Sequence, residues 1–130
     1  MATLKVAYVD SSCLLAVLLD QPGAERTAKR LAQFDRLVSS NLLEAELRSA
    51  MARERVQVDV GPLFRGIDWI HPNRPLTAEF DRVLACGYVK GADLWHLACA
   101  LFLAPDPQAG SFLTLDERQQ RVASRLGFAP

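Results

Sequence analysis

The sequence predicts an α/β fold with three layers, in which a parallel sheet of four or five strands lies between two layers of helices. Short apolar segments alternate with segments of helical periodicity throughout the 130 residues, which is typical of a helix-covered parallel sheet. The first apolar segment, residues 4–9, also lacks the polar alternation of a strand with one face in water. Both faces of the sheet are therefore expected to be covered.

Length and composition indicate one folded domain over residues 1–130. Half of the residues are hydrophobic and 23% are charged, which is the balance of an ordinary folded protein. Lys plus Arg and Asp plus Glu are 15 each, so the net charge neither indicates nor excludes a nucleic-acid partner. The sequence shows no secretory or transit signal and no apolar stretch long enough for a membrane span. A cytoplasmic protein without a membrane partner is expected.

The first half of the chain is expected to form five elements. They are a strand at 4–9, helices at 12–19 and 24–33, a strand at 36–39 and a helix at 41–55. In the last of these helices, apolar residues recur at i, i+4, i+7 and i+8, which is the stripe of an amphipathic helix. These residues are Leu43, Leu47, Ala50 and Met51.

The second half begins with residues 56–66, which show no clear pattern. The elements expected after them are a strand at 67–70, helices at 77–86 and 93–103, a strand at 111–115, a helix at 117–126 and a short edge strand at 127–129. The helix at 93–103 is apolar nearly all round, as in a helix that is buried on most sides, and Pro105 and Pro107 end it.

Two aspartates, Asp10 and Asp116, directly follow predicted strands. Ligands of open α/β sheets bind outside the carboxyl ends of the strands, and carboxylates gathered there are ligands that Mg²⁺ prefers. Each aspartate is equally well explained as the N-cap of the next helix, and Asp116 has Gln119 at capping-box spacing. Asp93, at the start of a predicted helix, allows the same two interpretations. The sequence leaves both open.

The helix at 41–55 contains two acids that differ in their neighbours. Glu44 lies three residues after Asn41, at capping-box spacing, and four before Arg48, so it has a structural explanation. Glu46 has no basic residue at i+3 or i+4, and it borders the buried face, where an unpaired carboxylate would be costly. A metal ion would remove that cost, which makes Glu46 the better candidate for a site.

Several other conspicuous side chains are better explained by packing. His96 shares a helical face with Asp93, but a lone histidine in so apolar a helix is more often packed and hydrogen-bonded than catalytic. Trp69 and Trp95 are expected to belong to the core rather than to stack on bases. The arginines of the last predicted helix are either a solvated face or a contact surface for nucleic acid; they are Arg118, Arg121 and Arg125.

Four short segments contain the acids considered above; they are YVDSS, SSNLLEAELRSA, GADLWHLACA and FLTLDERQ. In this order they resemble the four acidic motifs of the PIN-domain family, in particular VapC toxins of type II toxin–antitoxin systems. Each motif is weak by itself. Four of them in the right order, spanning nearly the whole chain, are fairly specific.

The resemblance implies a metal-dependent endoribonuclease that acts as a toxin and uses Mg²⁺ or Mn²⁺ to leave a 5′-phosphate and a 3′-hydroxyl. The acids that would bind metal and act in catalysis are Asp10, Glu46, Asp93 and Asp116. The residues that would support them through hydroxyl groups are Ser11, Ser12 and Thr114, with Thr114 and Asp116 on one face of the last strand. The expected partners are the RNA substrate, contacted by Arg118 and Arg121, a cognate antitoxin and a second copy of the chain.

Two other functions stay open. A receiver-like phosphoacceptor domain would gather acids and Mg²⁺ in the same place, but it needs an acidic pair after the first strand, where Ser11 and Ser12 follow Asp10. It also needs a lysine after a late strand, and the lysines here are Lys5, Lys29 and Lys90. A non-catalytic PIN-like module that binds metal and a protein partner is the second alternative, because fold does not imply function.

Overall fold

Four parallel strands form the central sheet of the computed structural model, which describes residues 4–130. They are β1 (Val6–Val9), β2 (Arg36–Ser40), β3 (Ile67–Ile70) and β4 (Ser111–Leu113). Their order across the sheet is β3-β2-β1-β4. Tyr8 of β1 pairs with Val38 of β2 on one side and with Phe112 of β4 on the other. β1 is therefore an interior strand, as its apolar sequence predicts.

The α-helices found in residues 4–130 follow the predicted order, with one addition. They are α1 (Ser11–Leu18), α2 (Ala24–Leu31), α3 (Leu42–Arg53), α4 (Gly61–Arg65), α5 (Thr77–Cys86), α6 (Gly91–Leu103) and α7 (Glu117–Leu126). The addition is α4, a single turn within the patternless segment 56–66, where Pro62 lies in the first turn and its missing N–H breaks no helical hydrogen bond. None of the helices formed by residues 4–130 has the length and apolar character needed to cross a membrane.

Each face of the sheet is covered by its own apolar cluster. Because successive strand residues point to opposite faces, Tyr8 lies in one cluster while Ala7 and Val9 lie in the other. The Tyr8 side is closed by α5, α6 and α7, which contribute Val83, Leu97 and Val122. The Ala7 side is closed by α1, α2 and α3, which contribute Leu14, Leu31 and Leu47. The predicted three-layer α/β/α arrangement is confirmed.

The carboxyl end of β4 and the edge strand predicted at 127–129 differ from expectation. The strand ends at Leu113, so residues 114 and 115 lie beyond it rather than within it. The predicted edge strand at 127–129 is reduced to one parallel bridge between Ser111 and Ala129. Gly127 ends α7 in the left-handed conformation at φ 111°, and only this short stretch then runs beside β4. The sheet has four strands, the smaller of the two predicted numbers.

The two tryptophans lie at the margins of the clusters and are half-buried. Trp69 packs edge-on against Phe64, with ring centroids 5.3 Å apart. Trp95 packs beside Phe80 and its indole N–H donates to the Ser40 hydroxyl at 3.1 Å. Their predicted role in packing is confirmed, although neither is fully enclosed.

Candidate active site

Asp10 is the most deeply buried of the four predicted acids, with 4% of its surface exposed. It directly follows β1 and is the N-cap of α1, where Oδ1 accepts from the Ser12 N–H at 3.1 Å and from the Ser12 hydroxyl at 2.6 Å. Oδ2 accepts from the Thr114 hydroxyl at 2.7 Å. Burial raises the pKa of Asp10, and these hydrogen bonds act against that rise. The capping interpretation is confirmed, and Oδ2, which accepts one hydrogen bond where Oδ1 accepts two, keeps a lone pair for a further ligand.

Ser12, rather than Ser11, is the serine that supports Asp10. Its hydroxyl also accepts from the Leu115 N–H at 2.8 Å, so it joins the start of α1 to the segment after β4. Among residues 4–130, no hydrogen bond of the Ser11 hydroxyl is found. The sequence could not separate the two serines, because the choice depends on how the chain turns after Asp10.

Thr114 connects three parts of the site. Its hydroxyl donates to Asp10 and accepts from the Asp116 N–H at 3.0 Å. It also lies 2.9 Å from the side-chain oxygen of buried Gln119, whose amide nitrogen has no partner among residues 4–130. A hydroxyl carries a single hydrogen, so the amide must be turned with its nitrogen toward Thr114. Gln119, predicted only as half of a capping box, is thus a buried support of the Asp10 site.

Asp116 is exposed and is the N-cap of α7, where its Oδ1 accepts from the Gln119 N–H at 2.9 Å. The reciprocal half of the capping box is absent, because the Gln119 side chain contacts Thr114 instead. The prediction that Thr114 and Asp116 share a strand face is wrong, since β4 ends at Leu113. A turn, held by the Thr114 hydroxyl, brings Asp116 to the site.

Glu46 lies in the second turn of α3, and its side chain is 25% exposed. Its Oε1 is 2.5 Å from Nε2 of His96 in α6. The expectation that Glu46 has no partner is therefore wrong, because its partner lies 50 residues away, where helical spacing gives no signal. His96 is completely buried and hydrogen-bonded, as predicted, but it also contacts a site acid.

Glu44 faces away from this contact and pairs with Arg48 at 2.6 Å, as predicted. The expected capping box with Asn41 is not formed, because the Asn41 side chain makes no capping hydrogen bond. Glu44 is thus explained by its exposed ion pair alone. The choice of Glu46 over Glu44 agrees with the observed geometry.

Asp93 lies in the first turn of α6, which begins at Gly91 with Lys90 as its N-cap. Capping therefore does not explain Asp93. Burial is the largest cause of its raised pKa. The negative charges of three other carboxylates raise it further, in the order Asp116, Asp10 and Glu46. The four predicted acids, from four separate segments, are thus close enough to repel one another at Asp93.

A family comparison agrees with this constellation: residues 7–125 match the PIN domain. The chain belongs to the PIN domain family. PIN domains are generally nucleases, which are hydrolases, and they usually use divalent metal ions. The match is to a PIN domain and not to a receiver domain, so the receiver-like alternative loses its support. No curated protein matches the chain.

The acids of this PIN domain suit a hard divalent cation by their chemistry. Within residues 4–130, no three Asp, Glu, His or Cys side chains are grouped so that they could hold a metal ion as they stand. Mg²⁺ needs no such group, because it is commonly held by one or two carboxylates and several waters. The repulsion at Asp93 is also what a cation would relieve. Among these residues, none of the four acids pairs with a lysine or arginine.

An aromatic and basic pair lies beside the two helix ends that contribute Asp93 and Asp116. Tyr88, in the segment before α6, is 68% exposed, and the Arg118 guanidinium in the first turn of α7 lies 5.8 Å from the centre of its ring. Arg121 is exposed on the same helix. Sequence analysis singled out the arginine but missed Tyr88, whose only signal was an aromatic residue in a polar connecting segment.

Proposed function

We propose that this PIN domain is a metal-dependent endoribonuclease. One observation supports the proposal above others: Asp10 and Asp116 both hydrogen-bond to Thr114 at the carboxyl edge of the sheet, and their charges, with that of Glu46, raise the pKa of Asp93. An uncompensated cluster of acids destabilises a fold, and it is retained where the charges serve a function. Hydrolysis of a phosphodiester through a divalent cation is a function that uses such a cluster.

The four acids would bind the cation, Mg²⁺ or Mn²⁺, in two ways. Asp10 and Asp93 would contact it directly, while Glu46 and Asp116 would hold its waters. When bound, the ion would activate a water for attack and neutralise charge on the leaving oxygen. Ser12 and Thr114 keep the Asp10 carboxylate in one orientation, since both of its oxygens accept hydrogen bonds from them. The products would carry a 5′-phosphate and a 3′-hydroxyl.

RNA would reach the site over Tyr88 and Arg118. An exposed aromatic ring next to a guanidinium offers a stacking surface for a base and a charge for a phosphate, and stacking suits any base. Arg121 would add a second phosphate contact one turn along α7. Because the net charge of the chain is zero, we expect the affinity for RNA to depend on this local surface and to fall with salt.

We further propose that the nuclease acts as the toxin of a toxin–antitoxin pair, as a homodimer that a cognate antitoxin inhibits. The four motifs that resemble VapC toxins support this proposal. So do exposed apolar side chains such as Leu115, which lies next to Asp116 and is 51% exposed. Expression of the chain in a bacterial cytoplasm should arrest growth, whereas Asp10→Asn should not; growth unaffected by an active nuclease would contradict the toxin role.

RNA cleavage by the purified chain tests the nuclease itself. Cleavage is measured with Mg²⁺ or Mn²⁺, with EDTA, and with two variants, Asp10→Asn and Asp81→Asn. Asp10→Asn keeps the side-chain shape and one oxygen that can accept from Ser12, while its amide nitrogen can donate to the Thr114 hydroxyl, so it should fold and lose about 10²–10³-fold in rate. Asp81 is exposed on α5 and is not among the charges that raise the pKa of Asp93, so Asp81→Asn should cleave like the wild type.

The outcomes separate the candidate functions. Metal-dependent cleavage that Asp10→Asn abolishes supports the nuclease. Equal cleavage by wild type and Asp10→Asn would reveal a contaminating enzyme and overturn the assignment of Asp10. Metal binding without any cleavage would favour the non-catalytic interaction module.

A further inference from the structure

A buried chain of hydrogen bonds runs from the sheet to Glu46. The backbone N–H of Ser40 in β2 lies 3.2 Å from the Tyr8 hydroxyl in β1. That hydroxyl lies 2.7 Å from His96 Nδ1, and His96 Nε2 lies 2.5 Å from Glu46 Oε1. Tyr8 and His96 are 2% and 0% exposed, so water does not compete for these contacts.

Each hydrogen in this chain has a definite place. A backbone N–H can only donate, so the Tyr8 oxygen accepts from Ser40 and its own hydrogen is available for His96 Nδ1. The ionised Glu46 carboxylate can only accept, so His96 Nε2 carries the ring hydrogen and donates it. In the neutral ring Nδ1 is then the acceptor for the Tyr8 hydroxyl. Burial raises the pKa of Tyr8, which keeps the phenol protonated and able to donate.

The rings of this chain are fixed by packing as well as by hydrogen bonds. Tyr8 stacks on Phe112 of the neighbouring strand, with centroids 5.3 Å apart, and meets the His96 ring edge-on at 5.6 Å. Glu46, in contrast, is only partly buried and has this single hydrogen bond among residues 4–130. The imidazole therefore determines where the Glu46 carboxylate lies.

We propose that His96 is a positioning residue for Glu46, held in the Nε2–H tautomer by Tyr8, so that one carboxylate oxygen is occupied and the other faces the site. The proposal rests on the proposed function, because it assigns Glu46 a role beside a cation. It gives His96 no proton to transfer. A hydrogen-bond partner of this kind changes metal affinity or activity by about 10–100-fold when it is removed.

The tautomer can be measured without metal or RNA. In protein labelled with ¹⁵N at its histidines and kept in EDTA, long-range ¹H–¹⁵N NMR should show His96 with a protonated Nε2 and an unprotonated Nδ1. Exposed His71, the other histidine of the chain, provides the reference signal of a solvated ring. Tyr8→Phe removes the hydroxyl that donates to Nδ1, so it should turn the single His96 tautomer into a mixture.

Two substitutions at position 96 separate positioning from packing. His96→Leu fills the space without a donor, and His96→Gln places an amide N–H near the position of Nε2. His96→Leu should weaken Mn²⁺ binding, followed by electron paramagnetic resonance, or lower kcat by about 10–100-fold. KM for RNA should stay unchanged, and His96→Gln should recover much of the loss. His71→Gln is the matched control and should behave like the wild type.

A wild-type His96 protonated at Nδ1 would overturn the proposal, and so would a His96→Leu protein that folds and keeps both its Mn²⁺ affinity and its kcat. If His96→Leu fails to fold, the NMR tautomer of the wild type and the Mn²⁺ affinity and kcat of the His96→Gln protein still test the proposal. If the wild type cleaves no RNA, the nuclease proposal fails, whereas the tautomer and Mn²⁺ measurements decide the positioning of Glu46 separately.

Discussion

Asp10 and Glu46 are held in opposite ways. Asp10 receives its hydrogen bonds from neutral groups on Ser12 and Thr114, at the ends of two adjacent strands of one sheet. Glu46 has a single hydrogen bond within the described part of the chain, shared with an imidazole in another layer of the molecule. The position of Asp10 thus follows from the register of β1 and β4. That of Glu46 depends on how α3 and α6 pack against the sheet.

This difference shows how one site can combine a carboxylate that is fixed by the sheet with one whose position depends on the packing of two helices. Each oxygen of Asp10 is held within the sheet edge, so movement of a helix should disturb it little. The Glu46 carboxylate, at the end of a side chain of α3, would follow α6, because its one hydrogen-bond partner among residues 4–130, His96, belongs to that helix. Substitutions on the two sides should therefore have different consequences, and four of them test this.

The largest effect is expected at Glu46. Glu46→Gln keeps the shape and can still accept from His96, but it loses the charge, so RNA cleavage should fall about 10²-fold while the fold is retained. Glu44→Gln is the matched control two residues away; it breaks only an exposed ion pair and should leave the cleavage rate unchanged. Rates measured at saturating metal compare the two. A loss at Glu44 with none at Glu46 would reverse the assignment.

Thr114 should matter most for stability on the Asp10 side. Thr114→Val leaves an Asp10 oxygen and the Asp116 N–H without their partner, which should lower the free energy of unfolding by about 1–3 kcal/mol. Thr114→Ser keeps the hydroxyl and should cost only about 0.8 kcal/mol for the lost methyl group. Urea unfolding measures both. If Thr114→Ser cost as much as Thr114→Val, the hydroxyl network would not be the cause.

Asp116 combines a structural and a proposed catalytic role, and two substitutions separate them. Asp116→Ala removes the cap of α7 and should lower the free energy of unfolding by about 0.5–2 kcal/mol. Asp116→Asn caps about as well and should keep that stability, yet both variants should lose cleavage activity. Thermal unfolding and RNA cleavage, measured on the same preparations, check this. Full activity in Asp116→Asn would mean that Asp116 is a cap and nothing more.

The smallest effect is expected at Asp93, in the metal-free protein. Its pKa is raised above the usual 3.8, so the folded chain binds that proton more tightly than the unfolded chain. The resulting stabilisation is present at low pH and is lost as pH rises through the folded pKa. At neutral pH, Asp93→Asn should be more stable than the wild type by about 0.2–1 kcal/mol, since the site is partly exposed.

Thermal unfolding in EDTA at several pH values measures the Asp93 effect, and the advantage of Asp93→Asn should shrink toward pH 4 as Asp93 is protonated. A variant less stable than the wild type at neutral pH would show that no repulsion acts at Asp93. This result would also remove the main argument that Glu46 and the three aspartates form one cluster.

The elements with strong periodicity were predictable from the sequence. The strand at 67–70 and the helix at 77–86 have the predicted bounds, and the buried stripe of α3 is the predicted one. The carboxyl end of β4 and the first residue of α6 were not, because a strand or helix stops where its hydrogen bonds stop. At Leu113 that depends on the Thr114 turn. The single bridge at Ala129 was also not predictable, because the pairing of this segment with the sheet edge depends on how α7 packs.

Within the site, the sequence placed Asp10 and Asp116 after strands, Asp93 at the start of a helix and Glu46 on the border of a helical stripe, and its resemblance to PIN domains joined them as one predicted set. The resemblance also implied supporting roles for Ser11 or Ser12 and for Thr114, and the structure shows Ser12 and Thr114 hydrogen-bonded to Asp10. Only the tertiary structure revealed His96 as the partner of Glu46, Gln119 as the support of Thr114, and Tyr88 beside Arg118. Sequence patterns report contacts between residues a few positions apart. These three contacts join residues on separate elements, so they exist only once the layers have packed together.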